Sequence, residues 1–382
     1  MTYFYHGMKE KFSLKDALFN KEKIEYLADL FAKTDTQFKK KEFVQEVMRK
    51  LLQLELKERI VWIAEVLEHH LSSDFKKASK VIKKALPPRL DPSKTDDDFG
   101  DFILAPLGEY VVRNGLKKEC LTDSFQTLLE LTQRFSMEDA MRSFLNSFPK
   151  ETLAMYKRWS IHKNYHVRRL VSESTRPSLP WSKKITLPYM IVLPFLDQLY
   201  FDKTRYVTRS VANHLNDISK KDSQLVIQQL IHWKKKGKQE PKELEWMTKH
   251  SLRTLVKEGN KDALELLGFG TKPKVVLEHF SLSSDKITQG ETLTFLCTVK
   301  ASTSEALLID YIIHFVKANG GTKPKVFKLK KVRLVKGESL TISKKHTLKA
   351  NATTFTLYNG EHTLTLQING QKFGSLIFEV IN

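Results

Sequence analysis

The sequence IHKNYHVRRLVSESTRPSLPW, residues 161–181, decides how the first part of the chain folds. Asn164 is one of the residue types that cap helix N-termini, so the stretch predicts a helix that begins near Tyr165. A narrow apolar stripe at helical spacing follows, formed by Val167, Leu170, Val171 and Ser174. Pro177 and Pro180 end the helix, because proline lacks the amide hydrogen that a further turn requires.

The side of this helix opposite the apolar stripe is charged. At about 100° per residue, Arg169, Glu173 and Arg176 lie on that side, and Trp181 follows in a loop. A carboxylate beside arginines, with an aromatic ring on a rigid turn, suits a protein that binds a cationic or stacked ligand. Arg169 and Glu173 alone would also fit a surface ion pair of about a few tenths of a kcal/mol, and a single tryptophan often belongs to a core.

An internal repeat extends this pattern along the chain. Residues 165–171, YHVRRLV, align with residues 205–211, RYVTRSV, at a separation of 40 positions, and HSLRTLV at residues 250–256 is a weaker third copy. A period near 40 with paired helices is typical of HEAT or armadillo repeats. We therefore predict an all-α HEAT-like repeat solenoid over residues 1–270, with a long concave surface.

The repeat phase brings acidic residues toward one surface. Glu173 is at the repeat position equivalent to Asn213, which follows 40 residues later. Arg209, Asn213 and Asp217 form a polar row at four-residue spacing. Glu173 and Asp217 should therefore face one concave surface from neighbouring repeats. Acids spaced four residues from arginines also form ordinary solvated pairs, which is the alternative for this row.

One helix pair earlier, the sequence supplies a third acid. Glu138 and Arg142 are predicted at the flank of a helix whose inward side consists of Met137, Met141, Phe144 and Phe148. Three acids in consecutive repeats could line one basic groove. Cleavage of an N-glycosidic bond develops oxocarbenium-like charge on the sugar, which a nearby carboxylate stabilises, so an enzyme that acts on DNA has a use for such acids.

Composition narrows the class of protein. The 382 residues indicate two or three domains, and the net charge of +20 favours a polyanionic partner such as nucleic acid. No apolar run approaches the roughly 20 residues of a membrane span, the N-terminus lacks a signal-peptide core, and Cys120 and Cys297 are too few for a disulfide framework. We expect a cytoplasmic protein of the bacterial cytoplasm or nucleoid, a monomer without membrane partners.

The last part of the chain has a different character. Residues 271–382 are rich in β-forming runs, at 292–296, 306–316, 326–335, 355–358 and 362–368, with Asn-Gly or Lys-Gly turns between them. About seven short strands predict an all-β immunoglobulin-like sandwich. This part carries 16 Lys+Arg and 8 Asp+Glu, a net charge of +8, and its densest basic cluster lies at residues 323–333, so it could contact the same polyanion.

The sequence offers no convincing metal or cofactor site. The acidic loop TDDDFGD at residues 95–101 lacks EF-hand spacing, so a solvated loop is favoured over a metal site. We expect no metal and no cofactor. A Mg²⁺-dependent nuclease that uses Asp96 to Asp98 is a distant alternative, and a noncatalytic repeat scaffold that binds DNA or protein is the nearer one.

Three segments together resemble a known family. Residues 162–181, with RYVTRSVANHLNDISK at 205–220 and SMEDAMRSFL at 136–145, are similar to the AlkC branch of the HEAT-like-repeat alkylpurine DNA glycosylases. The resemblance covers the helical part from about residue 100, and the sandwich resembles the immunoglobulin-like domain that some members append. The chain departs from the family pattern at Ser174, where glycine is common, and at Asp139, where an apolar residue is common.

The resemblance implies an activity and a set of site residues. Glu173, Asp217 and Glu138 match the catalytic acids, Trp181 matches the tryptophan that faces the lesion, and Arg169 matches a groove arginine. Arg176, Arg209 and Asn213 are further expected DNA contacts from the same surface. The implied substrate is double-stranded DNA with small cationic alkylated bases, namely 3-methyladenine, 3-methylcytosine and 1-methyladenine. The base would be released without a deep base-flipping pocket.

Overall fold

The computed structural model describes residues 13–94, 96, 99–350 and 355–382, and its first part is helical. Short 3-10 helices lie at Leu51–Gln53, Phe102–Leu104 and Lys118–Cys120. The α-helices are α1 Leu14–Leu18, α2 Lys21–Ala32, α3 Lys40–Met48, α4 Leu56–His70, α5 Phe75–Ala85, α6 Ala105–Gly115, α7 Leu121–Thr132, α8 Glu138–Ser147, α9 Pro149–Trp159, α10 Tyr165–Ser174, α11 Tyr189–Leu199, α12 Arg205–Ser219, α13 Ser223–Lys236, α14 Pro241–Ser251, α15 Arg253–Lys257 and α16 Lys261–Leu266.

The two strong copies of the repeat are equivalent helices. They form α10 and the first two turns of α12, and Val167, Val171, Val207 and Val211 are all fully buried, as the apolar stripe predicts. The weaker third copy does not form a helix equivalent to these two. Its residues 250–256 extend from the end of α14 into α15, with a break at Leu252 between the two helices.

Two sheets form the second architecture. The strands are β1 Val275–Leu282, β2 Lys286–Thr288, β3 Thr292–Ala301, β4 Glu305–Val316, β5 Thr322–Leu334, β6 Ser339–Thr347, β7 Gly360–Ile368 and β8 Gln371–Ile381. One sheet has the order β1-β3-β6 and the other β2-β8-β7-β4-β5. Apart from the parallel pair β2 and β8, neighbouring strands are antiparallel.

Most of the predicted β-forming runs are strands of the sandwich. The predicted runs at 292–296, 306–316 and 362–368 lie in β3, β4 and β7, and the run at 326–335 lies in β5 except for its last residue. The run at 355–358 is not a strand. Leu357 is buried there and Phe355 packs against the same core, so these residues are apolar because they cover the sandwich. Asn369 and Gly370 form the two-residue turn between β7 and β8, both with positive φ, as the Asn-Gly signal predicts.

By the density of its contacts the chain divides into two compact units. One comprises residues 1–218 and 236–247, and the other residues 219–235 and 248–382. Within the second unit, Leu264 and Phe269 pack with Leu308 of β4, so the last helix is built onto the sandwich. No helix in the described part of the chain is long and apolar enough to cross a bilayer.

Candidate active site

Helix α10 begins and ends close to the predicted positions. The Asn164 side-chain oxygen accepts a hydrogen bond of 2.9 Å from the His166 amide, which caps the first turn. The helix ends at Ser174, so Arg176 lies beyond its last turn and not on the helix face where the periodicity placed it. The charged side is also buried, since Arg169 is 6% exposed and Glu173 is 5% exposed.

Glu173 is a buried carboxylate with charged and polar partners on both oxygens. Its Oε1 accepts a hydrogen bond of 2.7 Å from Arg176 Nη1 and lies 3.5 Å from Arg169 Nη2. Its Oε2 accepts a hydrogen bond of 2.6 Å from the Ser210 hydroxyl on α12. A buried charge is tolerated only with such partners, so the position of this carboxylate is fixed by its surroundings.

Asp217 shares the same arginine. Arg176 Nε donates a hydrogen bond of 2.9 Å to Asp217 Oδ2, while Nη1 of the same guanidinium contacts Glu173. The two carboxylates come from α10 and α12, and both are almost completely buried. The structure therefore places the leading pair of predicted acids in contact with one guanidinium.

Glu138 joins this group through Arg169. It is the first residue of α8, and its Oε2 lies 3.5 Å from Arg169 Nη1. The Ser136 hydroxyl contacts both Glu138 and Arg169. An alternating row of acids and arginines results, in the order Glu138, Arg169, Glu173, Arg176 and Asp217, which we call the charged row.

The charges of the row stabilise one another. Burial alone would raise the pKa of Glu173, but Arg169 and Arg176, with the Ser210 hydrogen bond, more than offset this and lower it. Burial would likewise lower the pKa of Arg169 and of Arg176, but the neighbouring carboxylates reverse the effect and raise both. At neutral pH Glu173 is therefore a carboxylate and both arginines are cations.

Arg142 holds the backbone segment that carries Arg176 of the charged row. The sequence placed this side chain at the flank of α8, but it is 1% exposed. Its Nη1 donates hydrogen bonds of 3.0 and 2.9 Å to the carbonyls of Ser174 and Arg176. These carbonyls lie beyond the hydrogen-bonded turns of α10, and satisfying them explains why an arginine is buried here. The segment that carries Arg176 is thereby fixed.

Ser174, one of the two departures from the resembled pattern, has a structural role. Its hydroxyl lies 2.6 Å from the hydroxyl of buried Tyr156 and donates a hydrogen bond of 2.6 Å to the Leu170 carbonyl. The extra side chain therefore points into the helix packing and is satisfied there.

Trp181 lies in the loop that follows, as predicted, and it is 70% exposed. Its φ of 68° is in the left-handed region, which a bulky residue rarely adopts. Lys57 contacts the Trp181 carbonyl, and Pro180 precedes it. Strained backbone under an exposed ring is a common feature of functional sites.

The remaining predicted contacts lie on α12. Arg209 pairs with Asp96 of the acidic loop, and Asn213 is half-buried one turn before Asp217. The Arg169 guanidinium lies 4.7 Å from the ring centre of Tyr206 on the same helix. Asp97 and Asp98, which the nuclease alternative would need, are outside the described residues. Among the described residues no group of three His, Cys, Asp or Glu is placed to hold a metal ion.

Ser210 is a site residue that the sequence pattern did not predict. The 40-residue offset pairs this serine with the fully buried Leu170, so it occupies an apolar phase of the repeat. The sequence signal for Ser210 is a hydroxyl at a repeat position that is otherwise apolar, because a buried hydroxyl needs a hydrogen-bond partner.

Comparisons with known proteins agree with this architecture. Residues 276–382 match the family model described as "Uncharacterised protein YhaZ, C-terminal Ig-like domain". The protein described as "Uncharacterized protein YhaZ" of Bacillus subtilis (strain 168) is 33% identical over 367 residues, which cover 95% of this chain and 98% of the relative.

A solved structure is similar over nearly the whole chain. It is Pseudomonas fluorescens alkylpurine DNA glycosylase AlkC bound to DNA containing an abasic site analog. The TM-score is 0.87 at 30% sequence identity, and the match covers 97% of this chain and 100% of that one. The chain has the HEAT-like helical fold of this structure followed by an immunoglobulin-like sandwich, and it belongs to the AlkC-type alkylpurine DNA glycosylase family, with the YhaZ protein as another relative.

Proposed function

We propose that this protein is a monofunctional DNA glycosylase that excises small cationic N-alkylated bases from double-stranded DNA. Its substrates on this proposal are 3-methyladenine, 3-methylcytosine and 1-methyladenine. The observation that carries the proposal is the pair of buried carboxylates, Glu173 and Asp217, held by the single Arg176 guanidinium. The AlkC relative was solved on DNA that contains an abasic site analog, which corresponds to the product of such a reaction.

The proposed chemistry needs negative charge at the sugar. The bond between C1′ and the base nitrogen breaks, its electron pair stays with the base, and positive charge develops on the sugar ring. Glu173 and Asp217 stabilise that charge, and one of them accepts a proton from the water whose oxygen bonds to C1′. A cationic base needs no general acid, because the electron pair it receives neutralises it. The products are a free base and an abasic site.

The other site residues position the DNA. Glu138 is a helper acid that orients Arg169, and Trp181 faces the lesion with its exposed ring. Arg169, Arg176, Arg209 and Asn213 are the proposed DNA contacts. A net charge of +20 favours phosphate binding, and acids in such a surface reduce affinity, which is why we assign them to the reaction.

We further propose a division of labour along the chain. Residues 1–270 carry the glycosylase site, and residues 271–382 contact the DNA backbone through their excess of basic residues. The lesion is reached through the backbone of bent DNA, without prior capture of the base in a deep pocket. We expect the protein to act as a monomer.

The test is release of methylated base from alkylated duplex DNA under single-turnover conditions. Glu173→Gln and Asp217→Asn should each slow release about 10²–10³-fold while DNA binding persists, because each removes one carboxylate charge at the sugar. Glu151→Gln is the matched control, since Glu151 is an exposed acid on α9. Wild-type rates in both acid variants would refute the assignment, and DNA binding without any base release would favour the noncatalytic scaffold.

A further inference from the structure

A cavity of about 330 Å³ lies beside the charged row. Its walls come from α1, the first turns of α4, α6 and α8, and the loop that carries Trp181. Most of its lining is apolar and includes Leu14, Leu56, Ile60, Phe102, Phe135 and Met137. Its volume is at the small end of the range for small-molecule sites, so it suits one heterocycle better than a stretch of DNA.

The cavity also offers hydrogen-bond acceptors. The carboxylates of Glu109, Glu138 and Asp139 belong to residues that line it. Burial raises the pKa of Glu109 above its ordinary value. Carboxyl groups accept hydrogen bonds from exocyclic amino groups such as those of adenine and cytosine. Aromatic walls with a few acceptors are the features that bind a nucleobase.

Two residues connect the cavity to the proposed reaction. Trp181 and Glu138 both line it, and Glu138 contacts Arg169, which lies 3.5 Å from Glu173. A base released from a sugar near Glu173 and Asp217 would therefore be close to this apolar cavity.

We propose that this cavity binds the methylated base after it has left the DNA. The inference rests on the proposed function and adds a product site to it. The base departs with the electron pair of the broken bond, so a cationic lesion becomes a neutral heterocycle. The apolar walls accommodate this neutral heterocycle at a small desolvation cost, and the carboxyl groups among them can accept its amino hydrogens. The cavity thereby draws the base away from the abasic sugar.

The experiment is isothermal titration calorimetry of free 3-methyladenine into the full-length protein. We expect saturable binding at one site per chain. Ala105→Phe, which places a ring in the cavity from the start of α6, should weaken binding by about tenfold or more. Glu109→Gln keeps the shape of the lining and should weaken binding severalfold. Ala154→Phe adds the same side chain on the exposed surface of α9 and should leave binding unchanged.

Base release from alkylated DNA, measured on the same preparations, separates the two proposals. Wild-type protein that releases base but shows no saturable 3-methyladenine binding would overturn the product site alone. Equal binding by wild type, Ala105→Phe and Glu109→Gln would also overturn it. Wild-type protein that releases no base would overturn the proposed function and this inference together. Circular dichroism confirms that each variant is folded. If Ala105→Phe does not fold, Glu109→Gln still tests the product site.

Discussion

The charged row and strand β5 of the sandwich use charge in opposite ways. In the row, the side chains of Glu173, Arg176 and Asp217 are at most about a tenth exposed and contact one another at hydrogen-bond distance. On β5, the exposed residues include Lys328, Lys330 and Arg333, while the apolar side chains between them face the core. Buried charges with fixed partners can act at one atom of a ligand, whereas exposed lysines attract any polyanion. Net charge alone does not reveal this difference.

The largest effect that would test this comparison is on stability. Arg176→Met leaves Glu173 and Asp217 buried without their shared cation, so the free energy of unfolding should fall by about 3 kcal/mol. Urea denaturation followed by circular dichroism measures this loss. Lys330→Met also removes one cation, but from an exposed position, and should leave the unfolding midpoint unchanged. Equal effects of the two substitutions would mean that the row is no more than a surface ion-pair network.

The next effect concerns DNA affinity. Replacing Lys328, Lys330 and Arg333 by glutamine should lower the slope of log affinity against log salt by about one per phosphate contact that is lost. Fluorescence anisotropy with a labelled duplex over a series of salt concentrations measures the slope. The same change at Lys76, Lys77 and Lys80, all exposed on α5, removes equal charge as a control. An equal loss in both triple variants would show that β5 has no specific contact.

A smaller effect is expected at Ser210, which we regard as a positioning residue. Ser210→Ala removes the 2.6 Å hydrogen bond to Glu173 Oε2, and single-turnover base release should slow by about tenfold. Ser210→Thr keeps the hydroxyl and should restore most of the rate. DNA affinity should be the same for all three proteins. A rate for Ser210→Ala equal to wild type would show that Arg169 and Arg176 are enough to orient Glu173.

Features that depend on local signals could be predicted from the sequence. Asn164 caps α10 because its side chain reaches an amide two residues away, and Asn369-Gly370 forms its turn because both residues tolerate positive φ. The 40-residue period placed Glu173 and Asp217 toward each other because equivalent helices of a repeat share a phase. The HEAT-like and immunoglobulin-like folds follow from the same kind of pattern.

Features that depend on distant partners could not be predicted. Arg142 is buried because it binds two carbonyls more than 30 residues away, which no helical periodicity reveals. Arg176 falls beyond the end of α10, since the helix stops before the prolines. The apolar run at 355–358 covers the sandwich core without pairing, and β-propensity alone cannot distinguish these two states. The division at residue 270 remains a prediction.

The smallest expected effect is the pH dependence of base release. The pKa of Glu173 is lowered, so its carboxylate persists from neutral pH to below the ordinary glutamate value of about 4.3. Its contribution to stability is present above that ordinary value and is lost only as the pH falls through the lower folded pKa. The single-turnover rate should therefore be nearly constant between neutral pH and about pH 5.

Ser210→Ala makes this profile a test of the row itself. Losing the Ser210 hydrogen bond raises the pKa of Glu173, since that bond helps to lower it, so the acid limb of the rate profile should move to higher pH. Arg333→Gln on β5 should leave the limb in place, because it affects binding and not the protonation of Glu173. A limb that stays fixed in Ser210→Ala would mean that another group controls the rate in acid, and Glu173 would lose its leading role.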